Sequence, residues 1–304
     1  MDTQTDFDAR GLFEARFTAF LETIAQSRPR LHRYCARMTG SAMDGEDVMQ
    51  EALFEAYRKL DIYDDSRPLS PWLFRIAHNR CIDFLRRRAV RQDAEAAAVA
   101  PEIVEPVEPG GRGLGRAVER LVVNLPPMER ACVLLKDIFD YSLEEIAELV
   151  DSTIGGVKAA LSRGRGKLAA LQDAPEANPL RPNASPETLE LLRHYIERFN
   201  RRDWEGVREL TSADARLRVA DCFAGRLSDS PYFVEYDRPI IPWRMALGEV
   251  DGELAVIILD VSDRATPFSL IRLRIAGRRV VGITDYIKTP WVLAAAGSVA
   301  LTAS

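Results

Sequence analysis

The chain has 304 residues, of which 47% are hydrophobic and 29% are charged, and its net charge at pH 7 is −5. This length exceeds the usual size of one hydrophobic core, so the sequence predicts more than one domain. A free-standing DNA-binding domain is expected to be basic, so the acidic balance argues against one that acts alone.

Targeting, metal-binding and catalytic signals are missing from the sequence. The N-terminal segment has no cationic start and no continuous apolar core, and no stretch reaches the roughly 18 apolar residues of a membrane span. The four cysteines form no C-x-x-C pair and the three histidines show no metal spacing. No phosphate-binding glycine loop or nucleophile elbow occurs. The sequence therefore predicts a cytoplasmic protein that is not an enzyme and needs neither metal nor cofactor.

Two amphipathic helical segments come first in chain order, one ending at residues 34–40 and an acidic-fronted one at residues 44–60. A loop, Asp61 to Ser70, separates them from the sequence PWLFRIAHNRCIDFLRRR at residues 71–88. Ser70 can cap this third helix and Pro71 can take its first position, where a missing N–H costs nothing. Apolar residues then recur at helical spacing between the cations, so one side is predicted to pack and the other to meet phosphate. The charges alone would favour a merely solvated basic helix.

In this order the three segments closely resemble region 2 of the extracytoplasmic-function sigma factors, the small promoter-recognition subunits of bacterial RNA polymerase. The resemblance implies that the acidic-fronted helix binds the β′ clamp of the core polymerase through Asp47, Gln50, Glu51 and Phe54. It implies that the loop receives a base flipped from the −10 promoter element. The residues implied in −10 binding are Tyr63, Arg67, Trp72, Arg75, Asn79, Arg80, Arg86 and Arg87.

Physical chemistry supports separate roles for the aromatic residues and the arginines of this segment. Unstacking a base costs a few kcal/mol, which a protein offsets by holding the base in a pocket and stacking against its neighbours. Tyr63, Trp72 and Phe74 are the aromatic candidates, although a core position explains Phe74 at least as well. The arginines are predicted to bind backbone phosphate, which gives affinity and salt dependence without sequence selectivity.

A second helical cluster covers residues 125–171 and follows a segment rich in Ala, Glu, Pro and Gly at residues 92–115, which predicts a flexible acidic linker. Ser142 and Glu145 have the spacing of a capping box, and a brief turn precedes a basic helix. This pattern predicts a helix-turn-helix, although small basic hairpins are often purely structural. Joined to the first cluster it resembles sigma region 4, which implies contact with the polymerase β flap and recognition of the −35 element. The residues implied in −35 binding are Ser152, Thr153, Lys158, Ser162, Arg163 and Arg165.

The second basic helix departs from the family pattern. Gly156, Ala159 and Ala160 replace polar or cationic residues that relatives commonly carry, and Gly164 and Gly166 lie inside the helix. An interior glycine costs about 0.5 to 1 kcal/mol of helix stability relative to Ala. An isolated fragment containing residues 114–171 is therefore expected to bind −35 DNA weakly, and nanomolar, sequence-selective binding by that fragment would contradict this expectation.

A proline-rich linker at residues 173–186 leads into a region of different character. A helix at residues 187–200 is followed by strand-like apolar runs at residues 217–220, 253–260, 269–275 and 279–286. This part resembles the NTF2-like, polyketide-cyclase-like domains, which have a cone-shaped fold and are recurrent C-terminal partners of these sigma factors.

Cone-shaped domains can be enzymes that use a buried carboxyl group beside a tyrosine. The candidates are Asp214, Asp221, Asp260, Asp285, Tyr232 and Tyr286, although turn capping and sheet packing explain each of them better. His194 has no second histidine nearby. A regulatory role is favoured, because many aromatic side chains could form surfaces for the sigma modules or for a small ligand. These are Trp204, Tyr232, Phe233, Tyr236, Trp243 and Trp291.

The sequence thus predicts a multidomain chain with two all-α sigma modules followed by an α+β NTF2-like cone domain. The predicted boundaries are region 2 at 10–91, a linker at 92–115, region 4 at 116–172, a linker at 173–186 and the NTF2-like domain at 187–293. The predicted function is that of an alternative sigma factor controlled by intramolecular contact with its own C-terminal domain. The alternative is a ligand-binding or catalytic cone domain fused to a DNA-binding adaptor that does not initiate transcription.

Overall fold

The computed structural model describes residues 3–64, 66, 68–96, 122–172, 184–237, 241–262 and 264–302. They form two compact units, the first built from the helices up to Gln172 and the second from the remainder. Residues 97–115 and 173–183 of the predicted linkers, and Arg67 of the predicted −10 set, lie outside the described residues. No helix in the described ranges is long and apolar enough to cross a membrane.

The described residues of the first unit are mostly helical. Its longer helices are α1 (Thr3–Thr39), α2 (Ala42–Arg58), α3 (Leu69–Ala96) and α6 (Ile154–Gln172), and the shorter ones are α4 (Pro127–Val133) and α5 (Leu143–Leu149). A π-helical turn, Leu134–Ile138, continues α4. The predicted start of α3 was two residues late: Pro71 falls in the first turn of the helix, where N–H groups have no intrahelical acceptor, so it does not need the first position.

Local sequence accounts for where several of these helices begin. Ser41 caps α2 by accepting a hydrogen bond from the Asp44 N–H. The predicted capping box is confirmed, because the Ser142 hydroxyl accepts from the Glu145 N–H and the Glu145 carboxylate accepts from the Ser142 N–H. These caps satisfy N–H groups that would otherwise lack partners at the helix ends.

Regions 2 and 4 share one hydrophobic core. Tyr34 and Phe74 from the first three helices pack in the same cluster as Cys132, Phe139 and Leu161 from the last three. Of the four cysteines, Cys35, Cys81 and Cys132 are buried in this core, whereas Cys222 of the second unit is exposed. The linker joins two regions that are in contact.

The second unit is an α+β domain with a seven-stranded sheet in the order β2-β1-β6-β5-β4-β3-β7. Neighbouring strands are antiparallel except β1 and β6, which are parallel. The strands are β1 (Thr211–Val219), β2 (Phe223–Arg226), β3 (Trp243–Val250), β4 (Glu253–Asp260), β5 (Thr266–Ala276), β6 (Arg279–Asp285) and β7 (Val299–Leu301).

Helices cover this sheet. One face packs in a common core with α7 (Pro186–Asn200), α8 (Trp204–Leu210) and α9 (Tyr232–Asp237), and α10 (Pro290–Ala295) contacts β5. The predicted α+β fold class of this domain is confirmed. At the edge of the sheet, β7 pairs antiparallel with β3.

The glycines inside α6 differ in their surroundings, which leads to a paired prediction. Replacing Gly166 by Ala is expected to stabilise the helical unit by about 0.5 to 1 kcal/mol, since the added Cβ would meet no atom within 4 Å. Replacing Gly164 by Ala is expected to destabilise the unit by about 1 to 3 kcal/mol, because that Cβ would lie 2.9 Å from Val133 Cγ2 and 3.4 Å from the Glu129 carbonyl oxygen. Chemical denaturation of both variants beside the wild type measures the difference, and effects of the same sign would contradict it. Gly164 thus permits a close approach between α6 and α4.

Candidate nucleic-acid and polymerase interface

The predicted polymerase-binding residues share one face of α2. Asp47 and Gln50 are half-buried, Glu51 is exposed, and the Phe54 side chain is 63% exposed, whereas Met49 and Leu53 on the opposite face are in the core. Phe54 and Glu51 also line a groove of about 350 Å³. The exposed Phe54 ring and the groove beside it are therefore the part of this face that a partner could contact.

The predicted −10 surface contains an aromatic pocket. The rings of Tyr63 and Trp72 lie 4.8 Å apart, centre to centre, and Arg75 lies beside them in a pocket of about 510 Å³. The same pocket is lined by Glu145 and Glu148 from α5 of region 4. Carboxylates at this position disfavour nucleic-acid phosphate, because like charges repel.

The other described cations of the predicted −10 set, Arg80, Arg86 and Arg87, have acidic neighbours. Arg80 bonds Glu55, Arg86 lies 3.1 Å from Asp83, and Arg87 lies 3.6 Å from Glu51. Partial burial alone would raise the pKa of Glu55, but the hydrogen bonds from Lys59 and Arg80 lower it below its ordinary value. Asn79 is exposed on the same helix, whereas Phe74 is fully buried and belongs to the core.

The basic helix α6 uses several of its cations for ion pairs within region 4. Glu129, which is 5% exposed, accepts hydrogen bonds from Arg163 and Lys167 at 2.9 Å each, and Arg165 forms a two-pronged pair with Asp137. The hydrogen bond from Lys167, together with that from Arg163, lowers the pKa of Glu129. Ser152, Thr153, Lys158 and Ser162 are exposed at the start and on the outer face of this segment. Lys158, Ser162 and Arg165 line a groove of about 540 Å³ together with Lys136.

Two arginines that the sequence analysis did not single out join regions 2 and 4. The guanidinium of Arg130 is buried and donates to the carbonyl oxygens of Met38, Val123 and Leu125. Burial, with the charge of Arg88 nearby, lowers the pKa of Arg130 to about 10.

Arg30 on α1 makes the second link. Its Nη2 donates to the Phe139 carbonyl oxygen at 2.5 Å, and its guanidinium lies 5.9, 5.5 and 5.4 Å from the ring centres of Phe74, Phe139 and Tyr141. Cation–π contacts of this kind stabilise by about 0.5 to 2 kcal/mol each. No local sequence pattern indicates either link, because the partner that Arg130 reaches on α1, Met38, is 92 residues away and the partner of Arg30, Phe139, is 109 residues away.

In the second unit, two of the predicted catalytic candidates, Tyr232 and Asp285, are hydrogen-bonded to each other. Tyr232 and Tyr236 donate to the same Asp285 oxygen at 2.8 and 2.5 Å, and Asp285 is fully buried. Burial raises the pKa of Asp285, and the two tyrosine hydrogen bonds oppose that rise. Asp214 and Asp221 are exposed, Asp260 accepts hydrogen bonds from the Ser262 N–H and hydroxyl in the turn that follows it, and Tyr286 is buried. His194 is exposed on α7.

The prediction that aromatic side chains form exposed contact surfaces in this unit was wrong for four of the six. Tyr232, Phe233, Tyr236 and Trp243 are at most 8% exposed. They pack around Phe199, with ring centres 5.0 to 6.4 Å from it. The physical reason is that α7 supplies a central ring around which they bury. Trp204 and Trp291 are half-buried.

Comparisons with known proteins identify the family of the helical unit. The family models for sigma-70 region 2 and sigma-70 region 4 match residues 15–91 and 115–168. The chain is 32% identical over 162 residues to the ECF RNA polymerase sigma factor SigW of Bacillus subtilis, a match covering 49% of this chain and 87% of that protein. It is 32% identical over 156 residues to the ECF RNA polymerase sigma factor SigM of Mycobacterium tuberculosis, covering 50% of this chain and 76% of that protein. The crystal structure of SigJ, an extracytoplasmic function sigma factor of Mycobacterium tuberculosis, covers 87% of this chain and 95% of its own at 17% identity, with a TM-score of 0.36.

Proposed function

We propose that separate described surfaces of this chain bind core RNA polymerase and promoter DNA. The chain belongs to the extracytoplasmic-function sigma factors, which bind both to start transcription. The exposed face of α2, centred on Phe54, binds the β′ clamp of the core polymerase. Region 4 binds the β flap and the −35 element. The protein acts in the cytoplasm, where the polymerase works.

The aromatic pocket is the observation that carries this proposal. A flipped base presents two flat faces, and stacking on an aromatic side chain stabilises it by about 1 to 3 kcal/mol. Tyr63 and Trp72 provide such a surface in a pocket large enough for one base, and Arg75 can meet the adjoining phosphate. This pocket receives the −10 base. Arg80, Arg86 and Arg87 exchange their acidic partners for DNA phosphate.

Region 4 must leave region 2 before both promoter elements can be bound. The −10 and −35 elements lie about 25 base pairs apart, or roughly 85 Å at 3.4 Å per base pair. Two regions that share a core cannot span that distance, and Glu145 and Glu148 line the pocket that the base would enter. The arrangement described here is therefore a closed state, and polymerase and DNA binding favour an open one.

The C-terminal domain controls this equilibrium within the same chain. It forms a separate folded unit, and the linker before it is short and rich in proline, so its effective concentration near the sigma regions is about millimolar. It can thereby perform the task of a separate anti-sigma protein, through contact with the sigma regions.

Run-off transcription tests the initiation role and the control together. Full-length protein and a version ending at Asp173 are each combined with purified core polymerase on the promoter of their own operon. Both versions are expected to associate with core polymerase and to give transcripts, in different amounts, and the sign of the difference shows whether the C-terminal domain inhibits or activates. Equal transcription and equal core binding would remove the proposed control. No transcript and no core association from either version would favour a DNA-binding adaptor.

A further inference from the structure

Three arginines form a row across the face of the sheet that points away from the core of the C-terminal domain. Arg216 of β1 is paired with Arg226 of β2 and with Gly282 of β6. Gly282 is paired in turn with Arg274 of β5. Paired residues of neighbouring strands project to the same face, so the three side chains lie together, and we call them the arginine row. Leu217, the next residue after Arg216, is in the core, and successive side chains of a strand alternate between faces.

The arginine row is exposed, and its charges are not neutralised within the domain. All three residues are exposed, and none of them forms an ion pair with another described residue. In contrast, Arg272 of the neighbouring residue pair lies 2.7 Å from Glu253. Like charges that face each other destabilise a sheet, so the Arg216–Arg226 pair is unfavourable for the fold. The domain has nearly equal numbers of basic and acidic residues, so its composition does not account for the row, which indicates a role in binding.

The dimensions of the row suit an extended anionic surface. A Cβ atom at Gly282 would lie 3.2 and 3.3 Å from Nε and Nη2 of Arg274, so the Arg274 side chain lies across β6 in the space that the glycine leaves. The row spans three strand spacings, or about 14 Å, which equals the rise of about four base pairs of B-DNA. The planar guanidinium group binds phosphate oxygens through paired hydrogen bonds.

The place of the domain in the chain keeps the row close to promoter DNA. Helix α6 of region 4 ends at Gln172, and α7 begins at Pro186. Residues 173–185 reach at most about 45 Å when fully extended. When region 4 is on the −35 element, the start of the domain therefore lies within about 13 base pairs of it. Region 2 and the polymerase bind on the downstream side, so free duplex lies upstream.

We propose that the arginine row binds the phosphate backbone of the promoter duplex immediately upstream of the −35 element. This rests on the function proposed above, since region 4 must first bind that element. The contact lies outside both sigma regions and supplies affinity that does not depend on base sequence. It compensates for the weak −35 binding expected of region 4 alone.

The test uses holoenzyme assembled from full-length protein and core polymerase, and two promoter fragments. One fragment ends at the −35 element, and the other continues for two helical turns upstream. The row variant carries Arg216→Gln, Arg226→Gln and Arg274→Gln. The wild type is expected to bind the longer fragment about fivefold or more tightly than the shorter one, whereas the row variant binds both equally. For the longer fragment, the slope of log K against log salt concentration is expected to fall by about 2 to 3 in the row variant, because each phosphate contact contributes about 0.9.

A control variant removes the same number of charges at exposed arginines outside the row and is expected to bind as the wild type does. Its substitutions are Arg193→Gln, Arg201→Gln and Arg264→Gln. Thermal unfolding of the row variant is expected at the wild-type temperature or above it, because the substitutions remove charges that repel each other. A lower unfolding temperature would overturn the proposal, since the arginines would then serve the fold.

The outcomes separate this proposal from the function on which it rests. Failure of wild-type holoenzyme to bind the shorter fragment, which carries both promoter elements, would count against promoter recognition. The arginine row is then decided by the free full-length protein with a random-sequence duplex at low salt, to which the row variant is expected to bind about threefold or more weakly than the control variant. Equal affinity of these two variants for that duplex would contradict the proposal.

Three results with holoenzyme would also contradict it. The first is equal binding of the two fragments by the wild type, and the second is the same upstream gain in the row variant. The third is a loss of affinity for both fragments by the same factor in the row variant, which would show that the row contacts the polymerase or another protein surface instead of DNA.

Discussion

Replacing Arg130 by Met is expected to lower the free energy of unfolding of the helical unit by about 3 to 5 kcal/mol. The guanidinium donates to the Met38, Val123 and Leu125 carbonyl oxygens, which lie at the end of α1 and in the segment that leads into region 4. Methionine fills similar space but cannot donate, so buried carbonyl oxygens lose their partner at about 1 to 3 kcal/mol each. Urea denaturation followed by circular dichroism measures the loss.

Two further variants show whether the loss comes from these hydrogen bonds. Arg130→Lys keeps the charge but cannot reach three acceptors at once. Its free energy of unfolding is therefore expected to lie between those of the wild type and Arg130→Met. Arg165→Met removes an ion pair that is 55% exposed on the arginine side, so a change within about 1 kcal/mol is expected. An Arg130→Met variant within 1 kcal/mol of the wild type would show that the guanidinium does not hold the two regions together.

Acidification from pH 7 to pH 4 is expected to cost the helical unit about 3 kcal/mol through His78 alone. Burial lowers the pKa of His78 from 6.5 to about 4, and its Nδ1 lies 2.8 Å from the Tyr34 hydroxyl. The unfolded chain therefore binds a proton that the folded one does not. The contribution of neutral His78 to the free energy of unfolding is therefore complete above pH 6.5. It declines as the pH falls below that value and is lost near pH 4.

The measurement is the free energy of unfolding at intervals between pH 7 and pH 4, for the wild type and for His78→Gln. The variant has no histidine to titrate at this position, so its stability is expected to fall less steeply over that range, although it starts lower. His194→Gln changes an exposed histidine and should follow the wild-type curve. Parallel curves for the wild type and His78→Gln would show that folding does not lower the pKa of His78.

Local features of this fold were predictable from sequence, and long-range ones were not. The Ser142–Glu145 capping box depends on residues three apart, and β4 and β6 are continuous apolar runs, so the pattern indicated each of them. In contrast, the alternation of Trp243, Met245 and Leu247 in β3 is broken by Gly248 and Glu249, and β2 has only four residues, so neither strand was predicted.

The candidate interface followed the same division. The face of α2 and the Tyr63–Trp72 pair follow from helical spacing and from motif position. The partners of the cations do not, because Glu129 is 34 residues from Arg163 and Glu55 is 25 residues from Arg80. The packing of region 4 against region 2 could not be predicted from local sequence either, since Arg30 and Phe139, which link the two regions, are 109 residues apart. Only the folded chain places these groups together.

Because three of the four cysteines are buried and one is exposed, the rates at which their thiols react can report how often the closed state opens. A thiol-reactive dye can reach Cys222 in the native state, whereas Cys35, Cys81 and Cys132 react only after their surroundings separate. Burial also raises the pKa of Cys132 to about 11, so its thiolate is scarce while its surroundings remain in place. Once Cys222 is blocked, the labelling rate of Cys132 reports how often region 4 detaches, and comparison with Cys35 and Cys81 separates that event from unfolding of the whole unit.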